Sequence, residues 1–323
     1  MPAESMSDKQ GAAAYGGTGW TPRETSLRQE IGSLWGTCGV ASEWTTLRAV
    51  LLHRPGAELR SSTNPDAVSM LAPLDVERAQ KQHDALTDAY RAADVAVHYI
   101  DPEKPPSPNL MFVADLVFMT PEGAILGRPA SRIRAGEERW VACRLAALGI
   151  PILCSIRGSG TFEGADAAWV DSGTVLLATG LRTNPEGAGQ AQAVLEAMGI
   201  DVIRVGLPYG AMHLMGTLRF ASSDLAIARR GRVPFDAVQA LRDREIAVHF
   251  APDDREVVEG LALNVVTLGP GRVLMPSGNP TTQAFYEGLG VACETLATDE
   301  LHKAAGGIGC LTGVLQREDP PAG

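Results

Sequence analysis

The chain has 323 residues with 28 Lys+Arg against 38 Asp+Glu, a formal charge of −10, and 45% apolar content. That composition suits a folded globular chain with ample core material and argues against a nucleic-acid backbone as partner, which needs clustered basic residues. No apolar run reaches the roughly 18 residues of a membrane span. The opening residues lack the charged-then-apolar order of a signal peptide. Five scattered cysteines without a C-x-x-C pair read as reduced thiols, neither a disulfide framework nor a zinc site. A cytoplasmic protein is the expectation.

In chain order, residues 1–40 are Gly/Ser-rich and weakly periodic, which suggests a flexible or draped extension, and 41–323 reads as one continuous domain. Short β-branched runs follow at 48–53, 95–100, 151–155, 174–178, 201–205, 225–228, 247–250 and 272–275. Stretches with apolar residues three and four apart predict helices over 76–93, 137–148, 189–198, 233–243 and 280–289. Turns such as PEGA, DSGT and GPGR pair strands into hairpins. The result is α/β with hairpins inside each unit, in about five units of roughly 50–60 residues.

The phosphate loop, the dinucleotide fingerprint, the nucleophile elbow and the H-E-x-x-H zinc motif are all missing. Chemistry must therefore come from less regular groups. Cys310 follows a Gly-rich turn, AAGGIG, where backbone can approach a ligand and amides can lower a thiol pKa. A small buried hydrophobe is the plainer reading. His213, beside Met212, Leu214 and Met215, is either a catalyst or a hydrogen-bonded core histidine. Asp115 lies inside the apolar run PNLMFVADL, where an unpaired carboxylate is costly. Glu163 and Asp166 flank the glycine of FEGAD, and a surface turn explains Asp166 as well as a site does. Arg128 in GRP and Arg182 in GLRTN stand next to turns, as solvated residues or as clamps on a substrate carboxylate.

The order P-N-x-M-F-x-x-D, G-R, F-E-G-x-D, G-x-R-T-N, H-L and G-G-x-x-C-L-T resembles the guanidino-group-modifying superfamily of arginine deiminases, dimethylarginine dimethylaminohydrolases and amidinotransferases. The stretch from Leu47, LRAVLLHRPGAEL, resembles the first strand and turn of that group, so the likeness spans about residues 44–318. It implies a five-bladed α/β propeller (pentein) of ββαβ units around a polar central channel. It also implies Cys310 as nucleophile, His213 as general acid/base and Glu163 as the carboxylate that orients the histidine. Asp115 would grip the guanidinium nitrogens, and Arg182 and Arg128 would stand near the amino-acid end of the substrate. The expected partner is a small cationic guanidino compound, with no metal or organic cofactor, and a homodimer is left open.

Two positions depart from the family pattern. Met215 stands where deiminases and amidinotransferases carry a second acid, and Ala114 precedes the gripping aspartate where relatives carry Glu or Arg. An unsubstituted guanidinium would leave buried N–H donors unmet against such surface, at about 1–3 kcal/mol each. The expectation is a hydrolase for an N-substituted guanidine, with arginine next and amidino transfer as the alternative.

Overall fold

A computed structural model describes residues 11–60, 64–252 and 254–320. The first unit runs β1 (Leu47–Leu52), α1 (Val76–Ala92) and β2 (Ala96–Tyr99). The second runs β3 (Val117–Thr120), β4 (Gly123–Leu126), α2 (Glu138–Ala147) and β5 (Ile152–Ser155). The third runs β6 (Ala167–Asp171), β7 (Thr174–Thr179), α3 (Pro185–Ala197) and β8 (Asp201–Gly206). The fourth runs β9 (Leu218–Phe220), β10 (Leu225–Ala228), α4 (Phe235–Arg242) and β11 (Ala247–Phe250). The fifth runs β12 (Val266–Gly269), β13 (Arg272–Pro276), α5 (Pro280–Gly288) and β14 (Ala292–Leu296), and β15 (Gly313–Arg317) follows.

Five mixed three-stranded sheets result. In each of the last four units an antiparallel hairpin is extended by a third strand that runs parallel to the second, reached through a helix. That parallel step needs a crossover long enough to hold a helix. The first sheet is completed from the far end of the chain: β15 pairs antiparallel with β1, aligning Val50 with Val314, and β1 pairs parallel with β2.

Local sequence explains the elements. Asp75 caps α1 through the amides of Glu77 and Arg78, and Asn184 caps α3 just ahead of Pro185. Gly271, at φ +69°, makes the tight GPGR turn between β12 and β13 that a side chain would strain. All eight predicted strand runs and all five predicted helices have counterparts within a few residues. The strands β3, β4, β6, β9, β12, β14 and β15 were not among those runs, though the PEGA, DSGT and GPGR turns marked the hairpins of β3, β4, β6 and β12; β15 has its partner at the opposite end of the sequence.

The first strands β3, β6, β9, β12 and β15 all contribute to the lining of one internal cavity of about 80 Å³. Around it Phe118 stacks on Trp169 at 5.8 Å, and the Trp169 indole donates to the Met119 carbonyl at 3.2 Å, joining the β3 and β6 sheets. Of the expected extension, residues 1–10 lie outside the described residues. Farther along, the Gly36 amide donates to Gly149, Gly39 bridges to Gln316, and Cys38 and Val40 are buried in the core beside Leu315. All five cysteines are unpaired, and among the described residues no helix is long and apolar enough to cross a membrane.

Leu315 is buried on β15 in the same cluster as Leu51 of β1, so it reports on the closure of the first sheet. Leu315→Ala is expected to cost about 2–5 kcal/mol, read as a lower midpoint of denaturant unfolding at unchanged slope.

Candidate active site

The functional side chains occupy equivalent places. Asp115 closes the 3-10 turn Val113–Asp115 ahead of β3, and Glu163 and Asp166 bracket the turn that enters β6. His213 precedes the turn Leu214–Gly216 ahead of β9. Asn264 stands just before β12, and Cys310 lies in the short helix Ile308–Leu311 ahead of β15. Each sheet's first strand is thus introduced by a segment carrying one of these groups.

Cys310, His213, Asp115, Arg182 and Arg134 face one small cavity of about 20 Å³, with Phe112 on its wall. Residues nearly 200 apart in sequence, Asp115 and Cys310, meet there. His213 Nε2 lies 2.6 Å from Glu163 Oε2 and 3.7 Å from Asp115 Oδ1. Burial alone would discharge the imidazole, but the carboxylates of Asp115, Asp166 and Glu163 outweigh it and hold the pKa up at about 9. His213 is therefore an imidazolium at neutral pH and donates to Glu163. Burial opposes ionisation of Glu163 as well, yet His213, Arg134 and Arg182 together keep it a carboxylate with a lowered pKa. Glu163 Oε1 also accepts the Ala130 amide at 3.1 Å and faces Arg182 at 3.5 Å.

Asp166 does not line the cavity. It accepts from the Leu214 amide at 3.1 Å and from the Thr183 hydroxyl at 2.7 Å, so it fixes the backbone beside His213. Burial pushes its carboxyl up to about 6 despite the nearby histidine. Arg128 turns away to the Gly160 carbonyl at 2.9 Å and braces the loop ahead of Glu163. Met215, with Ala114, lines the larger internal cavity rather than the one that holds Cys310 and His213, because its turn directs it toward the core.

Two participants went unrecognised in the sequence. Arg134 bonds Asp115 Oδ2 at 2.5 Å and Glu137 Oε2 at 2.8 Å, and its other nitrogen faces the Phe112 carbonyl at 3.2 Å. Its signal was R-x-x-E, a basic and an acidic residue one helical turn apart, which many surface helices share. Asn264 donates to Cys310 Sγ at 3.0 Å and accepts the Cys310 amide at 3.1 Å. A lone Asn in a loop gives no sequence signal, since its partner lies 46 residues away.

Arg134 engages only one oxygen of Asp115. The other, Oδ1, is buried without a hydrogen-bond partner among the described residues. An unmet buried acceptor costs about 1–3 kcal/mol, which a ligand N–H would offset. Burial and the Asp115 charge raise the Cys310 thiol above its ordinary value, against the stabilising Asn264 amide and Arg219 charge. The site thus combines a thiol, an imidazolium acid and an acidic wall with an open acceptor: it suits a flat cation with N–H donors. Asp115, Glu163 and His213 also offer ligand atoms within 4.8 Å of one another, as a metal site would. A metal-bound histidine must be neutral, so an ion there would have to displace the proton that the surrounding carboxylates favour on this imidazole.

His213 links charge to stability. Its folded pKa, about 9, exceeds the ordinary 6.5, so its stabilising protonation is complete below about pH 6.5 and is lost as pH rises toward 9. The melting-temperature advantage over His213→Gln should shrink between those pH values; parallel pH profiles would contradict the assigned charge.

No family model matches the chain. A dimethylarginine dimethylaminohydrolase of Pseudomonas aeruginosa is 29% identical over 244 residues, covering 76% of this chain and 91% of that protein. An arginine deiminase of Rhodococcus opacus is 22% identical, with 87% of this chain and 97% of the relative covered. Among solved structures, an amidinotransferase of Microseira wollei superposes with a TM-score of 0.74 over 88% of this chain and 99% of its own, at 14% identity, a likeness of fold. The chain is thus similar in sequence to a dimethylarginine dimethylaminohydrolase and an arginine deiminase, a match to the guanidino-group-modifying superfamily, and similar in fold to an amidinotransferase.

Proposed function

We propose that the protein is a hydrolase that cleaves a guanidino C–N bond, converting arginine or an N-substituted arginine-like compound to a ureido product plus ammonia or an amine. The observation that carries this reading is the meeting of Cys310, protonated His213 and the unpartnered Asp115 oxygen on one cavity. The two well-covered relatives cited above bear the names of enzymes of this chemistry.

A guanidinium carbon is a weak electrophile because its charge is spread over three nitrogens. Asp115 would take N–H donors of the substrate and fix its plane against Cys310. The bound cation would offset the Asp115 charge that raises the thiol pKa and so favour the thiolate. As sulfur bonds to carbon, His213 would give its proton to the departing nitrogen, the C–N bond would break, and an S-alkylthiouronium would remain. Water would then add to the same carbon, losing a proton to His213; cleavage of the C–S bond returns the thiolate and releases the ureido product. Arg182, at the cavity edge, is suited to a substrate carboxylate.

Within this reading the five sheets stand as blades around the internal cavity, residues 41–323 act as one unit, and 1–40 form the extension. The cavity of about 20 Å³ holds little more than one water, so binding requires the rim around Ser69, Met212 and Ala305 to yield. Substrate preference rests on the missing second acid: Met215 supplies no carboxylate at that position and lines the internal cavity instead, so an N-alkylated nitrogen leaves fewer donors unmet in the catalytic cavity than plain arginine.

Steady-state kinetics should show higher kcat/KM for N-methylated or other N-alkylated arginines than for arginine; a clear preference for arginine removes the substituted-guanidine assignment. Transfer of the amidino group to added glycine, ornithine or lysine would move the protein to the amidinotransferase alternative. Cys310→Ala should lower kcat at least about a thousandfold and abolish any covalent adduct seen by mass spectrometry. Undiminished turnover by that variant would overturn the proposed mechanism.

A further inference from the structure

The internal cavity behind the site contains an electrostatic imbalance. On β9, Leu218, Arg219 and Phe220 all line the cavity; Leu218 and Phe220 also belong to a buried apolar cluster, so Arg219 is the strand's charged contribution to the lining. The lining includes three ionisable side chains: Glu43, Arg219 and Arg317. Two guanidinium groups therefore share a partly open cavity with one carboxylate, among mostly buried neighbours where uncompensated charge is expensive. Arg317 is anchored on the carbonyls of Thr45 at 2.6 Å and Thr267 at 2.8 Å. Glu43 accepts the Trp169 amide at 3.1 Å.

Arg219 reaches the segment that carries the thiol. Its guanidinium donates to the Val265 carbonyl, next to the Asn264 that holds both the sulfur and the amide of Cys310. A Cβ built on Gly309, the residue before Cys310, would come within 2.3 Å of Arg219 Nη2 and 3.0 Å of Asn264 Oδ1. Glycine at 309 is what lets the guanidinium lie against the backbone of the nucleophile's helix.

We infer that Arg219 is a positioning residue that stabilises the Cys310 thiolate from the internal-cavity side, with the sulfur anion as the second negative charge that its cavity lacks. The inference rests on Cys310 being the nucleophile of the proposed reaction. Charge then alternates through the molecule: the acidic wall of Asp115 in front of the sulfur, the guanidinium behind it. The charged and titratable groups around the thiol and this arginine are Asp115, His213, Arg134 and Arg182 on the catalytic cavity, Glu43 and Arg317 in the internal one, and the phenols of Tyr90 and Tyr286. Burial and Asp115 push the thiol pKa up, and Arg219 counters them. Burial also lowers the arginine's own pKa, but a guanidinium stays protonated at neutral pH.

Peptide-resolved alkylation by iodoacetamide across pH measures the thiolate directly and needs no turnover. Exposed Cys143 serves as the internal control. Arg219→Met should move the Cys310 midpoint up by about one pH unit, slowing alkylation below the midpoint about tenfold, with Cys143 unchanged. Arg219→Gln retains a donor for Val265 without the charge and should behave like the Met variant, so it decides the matter if the Met protein does not fold. Arg219→Lys should restore most of the wild-type profile. A folded neutral variant with the wild-type midpoint, or a Lys variant as displaced as the neutral ones, overturns the assignment. Because the readout is the thiol, failure to find a guanidino substrate would strike the proposed function while leaving this measurement intact.

Discussion

The contact between His213 and Glu163, 2.6 Å long and sealed from solvent, ties the segment entering β9 to the segment entering β6. A buried ion pair of this kind adds little net stability, because both groups lose water. Its consequence is positional: each partner alone would be an uncompensated charge, so the two sheets must keep the register that brings them together. Asp166 reinforces it by holding the Leu214 amide, and Thr183 is shared between the Glu163 amide and the Asp166 carboxylate. The imidazole is thereby fixed in both place and protonation state.

A second charged cluster performs the same service for Asp115. Arg134 spans Asp115 and Glu137, and Ser107 donates to Glu137 in turn. One Asp115 oxygen is occupied by this arginine and the other is directed at the catalytic cavity. The carboxylate is rigid because it is half satisfied, and available to a ligand because it is only half satisfied. In the proposed reaction, a cation bound there would also neutralise the charge in front of Cys310, coupling recognition to thiol activation.

The two cavities share a wall made of the Ala114–Asp115 and Gly309–Cys310 segments, with acid on one face and guanidinium on the other. Small residues at 114 and 309 keep that wall thin. A side chain at 309 would displace both Arg219 and Asn264. The Gly-rich approach to the cysteine is thus a packing requirement for groups that reach Cys310 from a different sheet.

The sequence by itself determined the alternation of strands and helices, because hydrophobic period, Gly turns and caps act over a few residues. It also carried the six motifs, from the Asp115 run to the Cys310 turn, whose order marks the superfamily. Only the tertiary structure decided which of those residues share a cavity. Arg128 and Arg182 look alike beside their turns, yet one bonds a loop carbonyl and the other faces the catalytic cavity. Asn264 and Arg219 carried no signal of their own, since their partners come from other sheets, and Arg134 offered only the common R-x-x-E spacing. The pairing of β15 with β1 was equally hidden, as it joins the two ends of the chain. Charge compensation is a property of neighbours in space, and a linear pattern records only neighbours in sequence.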